Sequence, residues 1–141
     1  MIHKNDTLSK KMTDRHIEIL EHPNRWGEGN IEINAGNTRI LCTASVLDSV
    51  PRFLRESNQS WLTAEYSMLP RATHTRTDRD IQRGKISPRS SEIQRLIGRA
   101  LRSSINLKSF SGQTIIIDCD VILADGSTRC HAINGGQVAL V

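Results

Sequence analysis

The stretch Glu92-Ile93-Gln94-Arg95-Leu96-Ile97-Gly98-Arg99-Ala100-Leu101-Arg102 decides the fold. Its apolar residues recur at intervals of three and four, which places them in one stripe along an α-helix with arginines on the opposite face. We expect Ser90 or Ser91 to cap the start of this helix and the helix to end near Leu107.

The segments on both sides of this helix have the patterns of β-strands. Alternating residues or β-branched apolar runs predict five strands, at 16–20, 29–34, 38–47, 61–69 and 114–123. A turn at 35–37 joins the second and third strands, which indicates an antiparallel hairpin or meander. A second helix is expected to begin at Thr128 or Arg129.

Positive charge is concentrated in the middle third of the chain. The formal net charge is +4, and residues 52–102 alone carry 11 Lys/Arg against 5 Asp/Glu. Residues 70–89 have no helical or strand period and hold few large apolar residues, so they predict an exposed basic loop. Such a patch favours a polyanion such as nucleic acid, and the alternative is a solvated, arginine-rich surface.

Composition indicates a single folded domain. The chain has 141 residues, 37% of them hydrophobic and 24% charged, proportions that support a packed core. No run approaches the ~20 apolar residues of a membrane span, and the polar N-terminus lacks the apolar stretch of a secretory signal. Three cysteines without close spacing argue against a disulfide framework and a zinc site. We therefore expect a cytoplasmic protein without a membrane partner.

The second helix is expected to be unfinished at the last residue. The chain runs out in the apolar segment Gln137-Val138-Ala139-Leu140-Val141, without the Gly or Asn cap or the polar tail that usually ends a helix. We expect a fold that is incomplete at the C-terminus, as in a fragment or a frameshift product.

Several long stretches resemble ribonuclease PH. They occur in the order of that family and are more specific than a short motif: residues 41–46 (LCTASV), 50–54 (VPRFL), 63–76 (TAEYSMLPRATHTR), 92–102 (EIQRLIGRALR) and 118–121 (DCDV). The resemblance covers residues 14–141, somewhat more than half of a full-length member, whereas residues 1–13 match poorly and are expected to form a separate tail.

The resemblance implies an α/β (α+β) fold of the ribosomal protein S5 domain 2 type, with a mixed sheet packed against helices. It implies a phosphate-dependent 3′-to-5′ exoribonuclease that trims the 3′ ends of tRNA precursors and other RNAs, assembled as a hexamer, a trimer of dimers. Inorganic phosphate would be the co-substrate that attacks the terminal phosphodiester and releases a nucleoside diphosphate. Mg²⁺ is compatible with this reaction as an ion that screens phosphate charge.

Two elements match phosphate-binding motifs of the family. Arg89 is expected just before a helix, where free N–H groups and the macrodipole favour an anion. Gly126, Ser127, Thr128 and Arg129 form a turn that enters the second helix, where Thr128 can act as the cap and Arg129 adds charge. The family usually has glycine at the position of Ser127, so a left-handed backbone there would be strained.

Arginines of the basic loop match a third family motif. Arg71, Arg76 and Arg79 correspond to arginines that hold the tRNA body, a role that suits sequence-independent phosphate contacts. Asp118 and Asp120 share one face of a strand and are interpreted as structural carboxylates paired with basic residues, since nothing downstream supplies further metal ligands. The family's catalytic aspartates lie in its C-terminal half, beyond the last residue, so no catalytic residue and no metal ligand is predicted here.

Three hypotheses follow from these patterns. The first is a phosphorolytic exoribonuclease, weakly active or inactive as this chain alone. The second is a non-catalytic remnant that binds RNA or forms rings. The third is an inactive frameshift product that folds poorly, because the missing half would leave its sheet uncovered.

Overall fold

A computed structural model describes residues 15–57, 59–110 and 112–141, and the expectations for residues 1–13 lie outside this part. Five strands and two α-helices follow one another along the chain: β1 (Ile17–Glu21), β2 (Gly29–Ala35), β3 (Thr38–Leu47), β4 (Trp61–Met68), α1 (Pro88–Ser104), β5 (Thr114–Leu123) and α2 (Thr128–Ala139). All five predicted strands are present, and the bounds of β3 and β5 are those that the β-branched runs predict.

The strands form one mixed sheet in the order β1-β2-β3-β5-β4. The first three strands are an antiparallel meander, β3 pairs antiparallel with β5, and β4 lies parallel to β5 at the edge. The mixed α/β architecture predicted from the sequence is therefore confirmed. No helix of the described residues is long and apolar enough to cross a membrane.

Both helices pack on the same face of the sheet, so the opposite face is open. α1 packs on β4, α2 packs on β2, β3 and β5, and the two helices contact each other. Alternate strand residues and the apolar stripe of α1 enclose a core of aliphatic side chains and two buried thiols, Cys42 and Cys119. The sulfur atoms of this pair are 3.8 Å apart, as free thiols.

The structure corrects the predicted ends of α1. Ser87, not Ser90 or Ser91, is the N-cap: its Oγ accepts a hydrogen bond from the Ser90 N–H at 3.0 Å. Pro88 occupies the first helical position, where its fixed φ fits and its missing N–H costs nothing. The helix ends at Ser104, before the predicted Leu107, because Ile105 turns to an extended backbone.

Two glycines let α2 approach the sheet closely. A Cβ on Gly135 would lie 2.6 Å from the Cys42 Sγ, and one on Gly136 would lie 3.1 Å from a methyl group of Ile117. These glycines cost helix stability, about 1 kcal/mol each relative to alanine, and the contact with β3 and β5 explains their presence. Close packing here holds α2 directly against β3 and β5.

Candidate functional site

A pocket of about 440 Å³ lies between the basic loop, the end of β4 and the first turn of α1. Three guanidinium groups line it, those of Arg79, Arg83 and Arg89, together with the carboxylates Asp78 and Asp80. The loop that carries them is the predicted basic segment, with one short 3-10 turn over Asp80–Arg83. The Arg76 side chain forms an ion pair with Asp78, which offsets the negative charge of one of the two carboxylates. The three arginines that line the pocket therefore suit it to binding an anion.

Arg89 occupies the second position of α1, and the prediction that it precedes the helix is wrong by two residues. Pro88 has no N–H, the Ser90 N–H bonds the Ser87 hydroxyl, and the Ser91 N–H bonds the Ser87 carbonyl. In this turn, none of these bonds uses the Arg89 N–H. Its backbone donor and its exposed guanidinium therefore both remain available to an anion at the positive end of the helix.

The start of α2 is the second donor surface. Gly126 (φ 84°) and Ser127 (φ 58°, ψ 22°) both have left-handed backbones, and Ser127 is the N-cap but makes no capping bond. The expected strain at Ser127 is therefore present, because that conformation favours glycine. The expectation that Thr128 caps this helix is wrong. The first N–H groups of α2 have no side-chain cap and point out of the helix end.

Contacts from β3 fix the turn before α2. The Thr38 hydroxyl donates to the Gly126 carbonyl at 2.9 Å and accepts from the Asp125 N–H at 3.0 Å. The Arg15 guanidinium donates to the same Gly126 carbonyl at 3.3 Å. These bonds hold the left-handed turn in one orientation, which is the condition for a preorganised anion site.

A buried hydroxyl pair joins β4 to the start of α2. The oxygen atoms of Tyr66 and Thr128 are 2.8 Å apart, and both side chains are buried. Burial raises the pKa of Tyr66, whereas the hydrogen bond with Thr128 and the positive charges of Arg89 and Arg129 act in the opposite direction. Both arginines thus lie close enough to the Tyr66 hydroxyl to affect it electrostatically.

An exposed ion pair links the start of α2 to the first turns of α1. The Arg129 guanidinium lies 3.0 Å from a carboxylate oxygen of Glu92, which is on the first turns of α1. An exposed pair of this kind contributes little stability, but it orients the guanidinium beside the uncapped end of α2. Arg89 and Arg129, which lie 40 positions apart in the sequence, therefore belong to one electropositive region.

The structure separates the three loop arginines that match one family motif. Arg79 lines the pocket with Arg89, whereas Arg71 and Arg76 are exposed residues of the loop and do not line it. The Arg76 guanidinium is paired with Asp78 at 2.8 Å. The basic loop is also held to the turn before α2, because the carbonyl of buried Ala72 accepts a hydrogen bond from the Ala124 N–H at 2.8 Å.

Several residues that build the site do not stand out in the sequence. Tyr66 and Glu92 lie in segments that resemble the family, but only the folded chain shows that their partners are on α2. Thr38, at the start of β3, bonds the turn before α2 from a distant part of the sequence. Arg83 was counted with the basic loop and not as a site residue, and it lines the pocket. The contacts of Tyr66, Glu92 and Thr38 are long-range in sequence, so no local pattern signals them.

The expectation that Asp118 and Asp120 pair with basic residues is wrong. In the part of the chain that the structure describes, neither takes part in an ion pair. Burial raises the pKa of Asp118, with the nearby Glu65 and Asp120 carboxylates acting in the same direction. Within that part, no group of three or more His, Cys, Asp or Glu side chains could hold a metal ion. The described residues therefore do not provide a set of protein ligands for Mg²⁺.

Comparisons with known proteins agree with this architecture. The sequence model of RNase PH, the 3′ exoribonuclease family, domain 1, matches residues 13–141. Rice (Oryza sativa) Rrp46 superposes with a TM-score of 0.74 at 19% identity, covering 91% of this chain and 56% of that one. A chain of the Archaeoglobus fulgidus exosome with RNA bound to the active site gives 0.76 at 18% identity, covering 91% and 51%.

An archaeal exosome core chain is also similar, with a TM-score of 0.70, 14% identity and coverage of 91% of this chain and 48% of that one. At these identities the structural matches establish the fold, and the chain spans about half the length of each of these relatives. The family match covers nearly the whole sequence. The chain belongs to the RNase PH family of 3′ exoribonucleases and corresponds to domain 1.

Proposed function

We propose that this chain supplies the phosphate- and RNA-backbone-binding part of a phosphorolytic 3′-to-5′ exoribonuclease that acts on tRNA precursors and other RNA 3′ ends in the cytoplasm. The observation that carries the proposal is the pair of helix starts near the Tyr66 hydroxyl. One has an unused N–H and the exposed Arg89, and the other has no side-chain cap and carries Arg129.

Phosphorolysis needs two anions close together. Inorganic phosphate attacks the terminal phosphodiester phosphorus, the bond to the 3′ oxygen of the preceding nucleotide breaks, and a nucleoside diphosphate leaves. Arginine forks and helix N–H groups offset the repulsion between the attacking and the scissile phosphate. In the proposed arrangement Arg89 and the turn Gly126–Arg129 hold phosphate, while Arg79 holds the RNA backbone in the adjoining pocket.

The other loop arginines extend the proposed RNA contact. Arg71 and Arg76 are exposed residues of the same loop and would contact phosphates of the tRNA body without reading bases. We further propose that the protein works as a ring oligomer, the trimer of dimers that the resemblance to ribonuclease PH implies. Mg²⁺ would then bind substrate phosphate oxygens, as this ion commonly does.

The alternative is an RNA-binding protein of the same fold that does not turn over. Ser127 favours it, because the left-handed position that suits glycine carries a side chain here. Both proposed functions use the same arginine surface, but only the enzyme consumes inorganic phosphate.

One experiment separates them. RNA with a 3′ tail is incubated with the full chain, with and without inorganic phosphate, and nucleotides are separated by chromatography. Phosphate-dependent release of nucleoside diphosphates supports the enzyme, and Arg89→Gln should abolish it. Binding of labelled RNA without phosphate-dependent release supports the alternative.

RNA binding is measured separately as a function of salt. Arg79→Ala should weaken binding and lower the slope of log K against log salt by about one unit. The control is Lys108→Ala, which removes one exposed positive charge near the opposite end of α1. Equal slopes for both variants would contradict the assignment of Arg79.

A further inference from the structure

We infer that the groove between α1 and β4 is a second RNA site, at which an unpaired base stacks on Phe53 while phosphates of the same strand contact Arg95 and Arg99. This groove and the anion pocket share no lining residue. The inference rests on the proposed function only in taking RNA as the ligand. It adds a contact to a base, whereas the anion pocket offers contacts to phosphate.

Much of the positive charge in the middle third of the chain lies outside the basic loop. Residues 52–102 carry 11 Lys/Arg, and six of them lie in the loop at 70–89. The other five lie on α1, on the 3-10 turn that carries Phe53, or directly after that turn: Arg52, Arg55, Arg95, Arg99 and Arg102. The chain therefore has a second group of arginines, to which the proposed function gives no role.

The groove itself is basic. It has a volume of about 280 Å³, and three arginines line it, those at positions 95, 99 and 102, whereas none of its described lining residues carries a carboxylate. Arg95 and Arg99 are exposed, and neither takes part in an ion pair within the described ranges. They are four residues apart on α1, about 6 Å along the helix axis. Both guanidinium groups can therefore contact neighbouring phosphates of one strand.

An aromatic pair borders the groove. The ring centroids of Phe53 and Trp61 are 5.3 Å apart with the planes at 88°, and Trp61 lines the groove. The Arg102 guanidinium lies 4.5 Å from the Trp61 ring centroid and donates to the Leu62 carbonyl at 2.9 Å, so its position is fixed by two contacts. Phe53 is nevertheless 68% exposed. Its ring is held in place at one side and open to a stacking partner at the other.

A nucleotide strand fits this combination better than a peptide. An exposed aromatic ring beside guanidinium groups is the composition of sites that bind single-stranded nucleic acid, where bases stack without regard to sequence. An acidic peptide would pair with the arginines and leave Phe53 in water, whereas a nucleotide brings an anion and a planar face together. Duplex RNA keeps its bases stacked inside the helix. We therefore expect the groove to prefer single strands.

Two fluorescent oligonucleotides test the base contact in the full chain, without inorganic phosphate so that no turnover occurs. One is an oligoadenylate, and the other has the same length and phosphates but abasic residues. In anisotropy titrations the wild type should bind the oligoadenylate at least roughly tenfold more tightly, the gain expected of one stacked base. Phe53→Ala should remove most of this preference, and Phe53→Trp should keep it.

The arginines are tested with the same two ligands. Arg95→Ala and Arg99→Ala should weaken the binding of both oligonucleotides by similar factors, because the phosphates are common to them. Each variant should also lower the slope of log K against log salt by about 0.7, the value for one phosphate contact with a single strand. All variants are checked by circular dichroism, and Phe53→Leu, which stays apolar, replaces Phe53→Ala if that variant does not fold.

The matched control is Trp26→Ala. Trp26 is 83% exposed and has the Arg25 guanidinium 5.4 Å from its ring centroid, but it does not line the groove. This variant should leave both affinities unchanged. Equal losses for Phe53→Ala and Trp26→Ala overturn the inference, and so does a Phe53→Ala variant that keeps the preference for bases.

Two further outcomes are separated by sedimentation velocity and by the loop variant. If Phe53→Ala changes the sedimenting mass and leaves RNA affinity intact, the groove is a protein contact and the inference is overturned. Failure of the proposed function has a different sign, namely RNA binding that Arg79→Ala leaves unchanged.

Discussion

Replacing Ser127 by glycine is expected to stabilise the fold. Among the described residues, Ser127 is the only non-glycine residue with a positive φ, 58°. An L-residue in this conformation costs roughly 1–2 kcal/mol, and the extra freedom of glycine in the unfolded chain offsets about 0.4–1 kcal/mol of the relief. The Ser127 side chain makes no capping bond, so its removal forfeits no cap. The expected net gain is about 0.5–1 kcal/mol.

The measurement is chemical and thermal unfolding, followed by circular dichroism. For a domain of this size, a gain of 1 kcal/mol corresponds to a rise in Tm of roughly 2–4 °C. Ser127→Ala is the matched control, because it keeps the Cβ and therefore the strain while removing the hydroxyl. We expect the alanine variant to remain close to the wild type.

Comparing these two variants decides whether the backbone or the hydroxyl matters. If Ser127→Gly is no more stable than Ser127→Ala, the strain argument is refuted. Phosphate binding, followed by calorimetry, provides a second readout. The glycine variant should bind phosphate at least as well as the wild type, because the N–H groups at the start of α2 are unchanged, whereas Arg129→Gln should bind it more weakly.

Three further changes have expected outcomes. Gly135→Ala should lower the unfolding free energy by about 1 kcal/mol, because overpacking against the Cys42 Sγ, 2.6 Å from the new Cβ, exceeds the gain in helix propensity; adding Cys42→Ala should recover part of the loss, since the Ile33 methyl group 3.0 Å from the new Cβ remains. Tyr66→Phe should cost about 1–2 kcal/mol, since it leaves the buried Thr128 hydroxyl without its partner; additivity with Thr128→Val in a double-mutant cycle would contradict this. Asp118→Asn should raise stability at neutral pH in urea unfolding of dilute protein. Its pKa is raised in the fold, so the ionised carboxylate costs stability above the folded pKa, and the benefit should disappear as the pH falls towards 3.8. A benefit that persists there would refute the assignment.

Local patterns predicted the elements of this fold well, because each has a clear period. The β-branched runs gave β3 and β5 with the observed bounds, and the apolar stripe gave α1. The ends of α1 were less predictable. Three serines precede its apolar stripe, and only the backbone geometry shows that Ser87 is the cap and that Pro88 begins the helix. The parallel pairing of β4 with β5 also has no signal in either strand, since it depends on which edge remains open after β3 pairs with β5.

The charged residues of the candidate site could be predicted from the sequence, but the contacts between its residues could not. Arg89, Arg129 and Arg79 stand out by residue type and position, but an arginine pattern does not reveal which of them share a pocket. The Tyr66–Thr128 pair shows why. A threonine at a helix start favours the capping interpretation, and a tyrosine from a distant strand takes its hydroxyl instead. Competition between local and long-range partners is decided only when the chain is folded.

The consequence of that competition bears on function. Had Thr128 been the cap, its hydroxyl would have satisfied one of the N–H groups at the start of α2. Because Tyr66 holds this hydroxyl and Ser127 makes no capping bond, those N–H groups remain without a side-chain partner. α1, by contrast, is capped by Ser87 and offers chiefly the Arg89 donor groups. The two helix starts therefore contribute differently. α2 supplies backbone donors in a turn that the Thr38 hydroxyl holds in place, and α1 supplies the exposed guanidinium of Arg89, so in the proposed arrangement one phosphate would receive backbone donors from one helix and a charged side chain from the other.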